Sequence, residues 1–118
     1  MEDERRHFLR IARGFLVRYR LPGEDSTSWW LSPLRDLSHG GARFLSEHTF
    51  TVGTVLDLQV VLPALEWPIV VKAKVTWVKP APGQLVELGV LFEGLGLGAQ
   101  QAIDEAVARF LRMQRFAE

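Results

Sequence analysis

The sequence predicts a mainly β fold, a six-stranded antiparallel barrel closed by one C-terminal α-helix. Three observations carry this expectation. Apolar and polar residues alternate through several short runs, Gly and Pro punctuate those runs at fairly even spacing, and only the last segment changes to a helical period.

The elements follow in order. Residues 13–20 form the first strand, with Phe15, Val17 and Tyr19 on one face, and residues 21–26 form the loop after it. A second strand lies within 28–36, and a short third runs from about Ala42 to Leu45. In 54–62, Leu56, Leu58, Val60 and Leu62 alternate with Asp57, Gln59 and Val61, and Pro63 ends the run. Residues 69–78 place Ile69, Val71, Ala73, Val75 and Trp77 on one face, with Lys72, Lys74 and Thr76 on the other. Pro80-Ala81-Pro82-Gly83 reads as a turn, after which 85–92 puts Val86, Leu88, Val90 and Phe92 inward. Beyond Gly94–Gly98, Ile103, Ala106, Val107, Phe110 and Leu111 recur as the stripe of an amphipathic helix over about 98–115. Asp104 and Glu105 lie in its first half and Arg109, Arg112 and Arg115 toward its end, as the helix dipole prefers.

Composition bounds the function. The chain has 118 residues, 47% of them hydrophobic, which suits one globular domain and argues against disorder. It has no cysteine, which excludes disulfides, thiolate metal sites and cysteine nucleophiles. No apolar run approaches the roughly 20 residues of a membrane span. The opening Met-Glu-Asp-Glu-Arg-Arg is too polar for a signal peptide, so a cytoplasmic protein without membrane insertion is expected. The 14 basic and 14 acidic side chains cancel, which argues against a polyanion binder working by bulk attraction, so no DNA or RNA partner is expected. The balance conceals a local bias. Residues 1–20 carry Arg5, Arg6, Arg10, Arg13, Arg18 and Arg20 against Glu2, Asp3 and Glu4. Guanidinium makes planar two-point hydrogen bonds and stacks on flat rings, which ammonium cannot do.

Two short patterns stand out. Arg6-x-x-x-Arg10, preceded by Arg5, is weak by itself, because about one such pair is expected by chance at this arginine content. Asp36-Leu37-Ser38-His39-Gly40-Gly41 is a D-x-S-x-x-G pattern. It also suits a plain tight turn, in which Asp and Ser bond nearby backbone and Gly supplies positive φ. The ordered combination is more specific: an Arg pair, D-x-S-x-x-G, Gly-Thr-Val-Leu-Asp-Leu, Val-Thr-Trp and Glu-Leu-Gly-Val-Leu-Phe. In this combination the chain resembles the PilZ domain family of bacteria, over nearly its whole length from Glu4 onward.

That resemblance implies the six-stranded barrel with a terminal helix, and a receptor for the second messenger cyclic di-GMP rather than an enzyme. It implies that Arg6 and Arg10 match the family's RxxxR, that Asp36, Ser38 and Gly41 match its (D/N)xSxxG, and that Arg5 matches an extra basic position of members binding a stacked ligand dimer. Trp77 aligns with an aromatic that can approach the ligand, although alternation groups it with Ala73 and Val75 as core. The chemistry is consistent with the ligand. Arginine can place two donors on guanine O6 and N7, lie on a purine ring or fork onto phosphate. A carboxylate such as Asp36 accepts from guanine N1–H and the 2-amino group. Ser38 can donate, and Gly41 admits a close backbone approach. On this reading residues 1–12 are a flexible clamp that orders over a barrel domain of residues 13–118. That ordering signals to an unidentified protein partner, with no cofactor or metal required.

Rival readings are weaker or less specific. Asp36, Ser38 and His39 sit too close along one turn to converge as a hydrolytic triad. His7, His39 and His48 match no common metal-ligand spacing. A protein-interaction adaptor of the same fold that binds no nucleotide remains the main alternative, with adjacent Trp29 and Trp30 suiting a docking surface. A small barrel binding single-stranded nucleic acid lacks the continuous basic groove it would need.

Overall fold

The computed structural model describes residues 15–23, 29–62 and 65–117, with side chains as far as Arg109. Six strands form in chain order: β1 (Leu16–Arg20), β2 (Trp30–Leu37), β3 (Gly41–Ser46), β4 (Val55–Val61), β5 (Ile69–Ala81) and β6 (Leu85–Glu93). Helix α1 (Leu97–Ala117) follows. All pairings are antiparallel, in the order β1-β2-β3-β6-β5-β4, and β1 pairs with β4 to close the barrel. Closure leaves no open sheet edge to template another chain. The expected barrel with one C-terminal helix is the fold observed.

The alternating side chains fill the interior. Val17, Phe44, Leu56, Leu58, Val75 and Leu88 are fully buried, and Ile103 of α1 is buried with them in the same core. Ala99, Ala102, Ala106 and Val107 pack partly against that core. Tyr19 is buried too, so its hydroxyl needs a partner. It donates to Ser46 Oγ at 2.8 Å, and burial raises the phenol above its ordinary pKa of 10.0.

The structure departs from the sequence reading in three places. β5 runs on through Pro80 and Ala81, which pair with Val86 and Leu85, so the turn occupies residues 82–84 instead. A proline near a strand's end removes only one donor from the ladder, and Gly83 and Gln84 supply the positive φ the turn requires. Val86 and Phe92 are half-buried rather than fully inward. Trp77 does not share a face with Ala73 and Val75, for a reason that belongs to the site. The predicted 1–12 arm, residues 13–14, part of the first loop and the side chains of Phe110, Leu111, Arg112 and Arg115 lie outside the described residues.

Candidate functional site on the outer barrel wall

Two strand pairings shift register, and each shift turns a candidate residue outward. Leu34 is buried, so strict alternation would bury Asp36 as well. The β2–β3 register slips between Leu34 and Asp36, with Arg35 as the extra residue, and Asp36 then pairs with Arg43. Arg43 lies between buried Ala42 and Phe44, so it points outward, and Asp36 faces the same way. On β5 the same device acts between Val75 and Trp77. Thr76 is the extra residue, its hydroxyl donates to the Gly89 carbonyl at 3.1 Å, and Trp77 emerges on the outer wall at 36% exposure. Re-aiming a side chain in this way is what β-bulges do.

The register places these residues in one row across four strands. Asp36 on β2 pairs with Arg43 on β3, Arg43 with Gly89 on β6, and Gly89 with Trp77 on β5. The Trp77 ring lies over Gly89, where a Cβ would overlap the indole. The missing side chain therefore gives the ring its seat. Arg43 Nε donates to Oδ2 of Asp36 at 2.8 Å, and its Nη2 lies 2.7 Å from the same oxygen as an ion pair. Its Nη1 lies 3.8 Å from Glu87 Oε1, and Glu87 Oε2 lies 3.1 Å from Arg35 Nε. Charges thus alternate along Asp36, Arg43, Glu87 and Arg35. Arg43, Glu87 and Arg35, with Lys79, border a groove of about 180 Å³ on the outer wall.

The turn joining β2 to β3 forms the rim of this wall. The Ser38 backbone N–H and hydroxyl donate to the Gly41 carbonyl at 2.9 and 3.2 Å. Gly41 does not supply a positive φ, contrary to the plain-turn reading. It supplies a close approach, because a Cβ there would overlap the Val90 carbonyl of β6. The turn is also tied to α1. Gln100 Nε2 donates to the His39 carbonyl at 2.8 Å and to Asp104 Oδ1 at 2.9 Å, and the His39 ring bonds the same Asp104 oxygen at 2.6 Å. The bond from His39, then that from Gln100, holds the Asp104 carboxyl below its ordinary 3.8.

The wall therefore brings Asp36 and Trp77 into one row with Ser38 and Gly41 at its edge. Arg5, Arg6 and Arg10 lie outside the described residues. Sequence reasoning missed Arg43, Glu87 and Arg35. The available signal was Arg43's position two residues beyond Gly41, alternating with Ala42 and Phe44. Among the described residues no group of three His, Cys, Asp or Glu side chains is placed to hold a metal, and no helix is long and apolar enough to cross a membrane. A second groove of about 460 Å³ opens at the far end of β2, between residues 29–33 and Leu45–His48, where β2 is not yet paired with β3. It holds none of the motif residues.

Known proteins share this architecture. The barrel superposes on K. pneumonia MrkH in its apo state with a TM-score of 0.73 at 16% identity, covering 88% of this chain and 49% of MrkH. Bacillus subtilis MotI/DgrA, an inhibitor of motility, gives 0.66 at 20% identity over 83% of this chain and 47% of that one. The PilZ domain of Escherichia coli YcgR, solved with c-di-GMP, gives 0.65 at 16% identity over 87% and 86%. The chain thus spans about half the length of MrkH and MotI. No curated protein sequence matches it. The family model for the PilZ domain matches residues 4–109, which take in all six strands and most of α1, and the chain belongs to the PilZ domain family.

Proposed function

We propose that the chain is a cyclic di-GMP receptor that holds the dinucleotide on the outer wall between Asp36, Ser38 and Trp77, with Arg5, Arg6 and Arg10 closing over it. The observation that carries this reading is the pair of bulges. They turn outward an acid that burial would penalise and an indole that burial would favour, and they set the two in one row on the same wall, where a base could meet both. The roles follow from their chemistry. Asp36 accepts from the guanine N1–H and 2-amino group, Trp77 offers a ring for stacking, and Ser38 can turn its hydroxyl to a nearby acceptor. The arginines fork onto phosphate or lie on a base. Gly41 keeps the turn against β6, so the rim stays level with the wall.

Two relatives support the ligand class: MrkH has been solved as a complex with c-di-GMP, and so has the PilZ domain of YcgR. Output then passes from residues 1–12 to a protein partner in the cytoplasm as the arginine segment orders. Receptor domains of this family signal by binding, and the triad types at Asp36, Ser38 and His39 have no catalytic part in this reading.

Calorimetric titration with cyclic di-GMP tests the reading and gives the stoichiometry, one ligand or a stacked pair. Arg6→Ala and Arg10→Ala should each weaken binding about tenfold or more. Undiminished affinity in both variants would remove the clamp. Absence of binding by the wild-type chain would favour the adaptor alternative. One MrkH structure is described as that of a c-di-GMP-dependent transcription regulatory factor, so a short oligonucleotide belongs in the same titration. The balanced charge of this chain predicts no binding to it.

A further inference from the structure

We propose that Arg43 is the positioning residue of this site: braced by Glu87, its guanidinium occupies one oxygen of Asp36 and presents the other to a guanine edge. The inference rests on the cyclic di-GMP reading above and deepens it, since it names what sets base specificity. Arg43 belongs to neither sequence motif. It comes to the site because Asp36 and Arg43 pair across β2 and β3 after the bulge.

The contact is one-sided. Nε donates to Oδ2 at 2.8 Å, Nη2 lies 2.7 Å from the same oxygen, and no hydrogen bond from a described residue reaches Oδ1. A guanidinium meeting a carboxylate end-on would take both oxygens, and little acceptor capacity would be left for a ligand. Here the carboxylate is held by one oxygen, and the other is the acceptor left for the N1–H and 2-amino donors of guanine. Adenine has no donors at those positions, so fixing the carboxylate plane is a means of base selection. The brace on the far side completes the arrangement. Glu87 lies 3.8 Å from Nη1 and is itself held by Arg35 at 3.1 Å, which keeps the guanidinium from swinging outward. The pair is also shielded, with side-chain exposures of 28% for Arg43, 18% for Asp36 and 14% for Glu87. It is therefore less screened than a surface ion pair.

The test titrates cyclic di-GMP and cyclic di-AMP into the full chain and into R43Q, R43K and E87Q, with thermal melts as a folding control. The expected result for R43Q is a loss of cyclic di-GMP affinity of about tenfold or more, with a smaller loss for cyclic di-AMP, so that base discrimination narrows. R43K keeps the charge but cannot set two coplanar donors on one oxygen, so it restores affinity in part without restoring discrimination. E87Q loosens the brace and gives a milder loss in the same direction. It also supplies the answer if R43Q does not fold. Three outcomes overturn the inference. Equal or tighter binding by R43Q would make Arg43 a neutral strut or a competitor for Asp36. An equal loss for both dinucleotides would make it a phosphate contact. A wild-type chain that binds neither ligand would remove the receptor reading, and this inference with it.

Discussion

Strand β4 and the wall carrying Asp36 and Trp77 start from the same pleat and put it to opposite uses. β4 keeps unbroken register with both neighbours, from Arg20↔Asp57 to Leu16↔Val61 on one side and from Val55↔Lys74 to Val60↔Ile69 on the other. Its Leu56, Leu58 and Val60 are fully buried. β2 and β5 each give up a step of register, and an otherwise buried position becomes one offered to solvent. Regular pairing maximises burial, while one extra residue converts a core position into a contact position without a new loop.

Four experiments would break or sharpen that contrast. The largest effect is expected on the regular side. Leu58→Ala deletes a fully buried side chain and should lower stability by about 2–5 kcal/mol. Urea unfolding measures the loss, and cyclic di-GMP affinity per folded molecule should stay unchanged. At the rim, Gly41→Ala drives a methyl into the Val90 carbonyl. Backbone yields less readily than a side-chain end, so a cost of about 1–3 kcal/mol is expected in the same assay. On the bulged wall the effect should move from stability to binding. Trp77→Ala should lower stability less than Leu58→Ala does while weakening cyclic di-GMP by about 1–3 kcal/mol, read by calorimetry. A large stability loss without a binding loss would make the β5 bulge a packing device.

The smallest effect concerns the tie between the turn and α1. Asp104 is held below its ordinary 3.8, chiefly by His39. A carboxyl lowered in the folded state adds stability above its unfolded pKa and loses that contribution as pH falls through the folded one. Asp104→Asn should therefore melt slightly earlier than wild type at neutral pH, and the gap should close in acid below about 3.8. A gap that persists there would assign the effect to lost geometry rather than to charge.

The fold was legible because burial follows a period that the eye can count. Leu56 to Leu62 and Ile69 to Val75 announce their inner faces, and Ile103 announces the helix stripe. The site was legible in part. Asp36, Ser38 and Gly41 stand out as a pattern, but their placement depends on where the pairing slips, and register is a property of two strands at once. Trp77 shows the limit: alternation along β5 alone sends it inward, and Thr76 reverses that only because β6 faces it. Arg43 was hidden for a similar reason. Its partner Asp36 is seven residues away in the chain but directly opposite in the sheet. The Pro80-Ala81 strand extension was hidden because a local breaker signal outweighs a ladder partner that one segment does not reveal.

The contact between Gly41 and the Val90 carbonyl changes how much weight a pattern match deserves. Barrel closure alone would retain a glycine at that place, whether or not anything ever docks outside. Among the three fixed letters of D-x-S-x-x-G, the last therefore testifies to architecture, and the first two are the ones that can speak for a messenger. A chain of this shape that kept the glycine and lost the acid would still look like a sibling by outline, yet would lack the carboxylate that the proposed reading sets against the guanine edge.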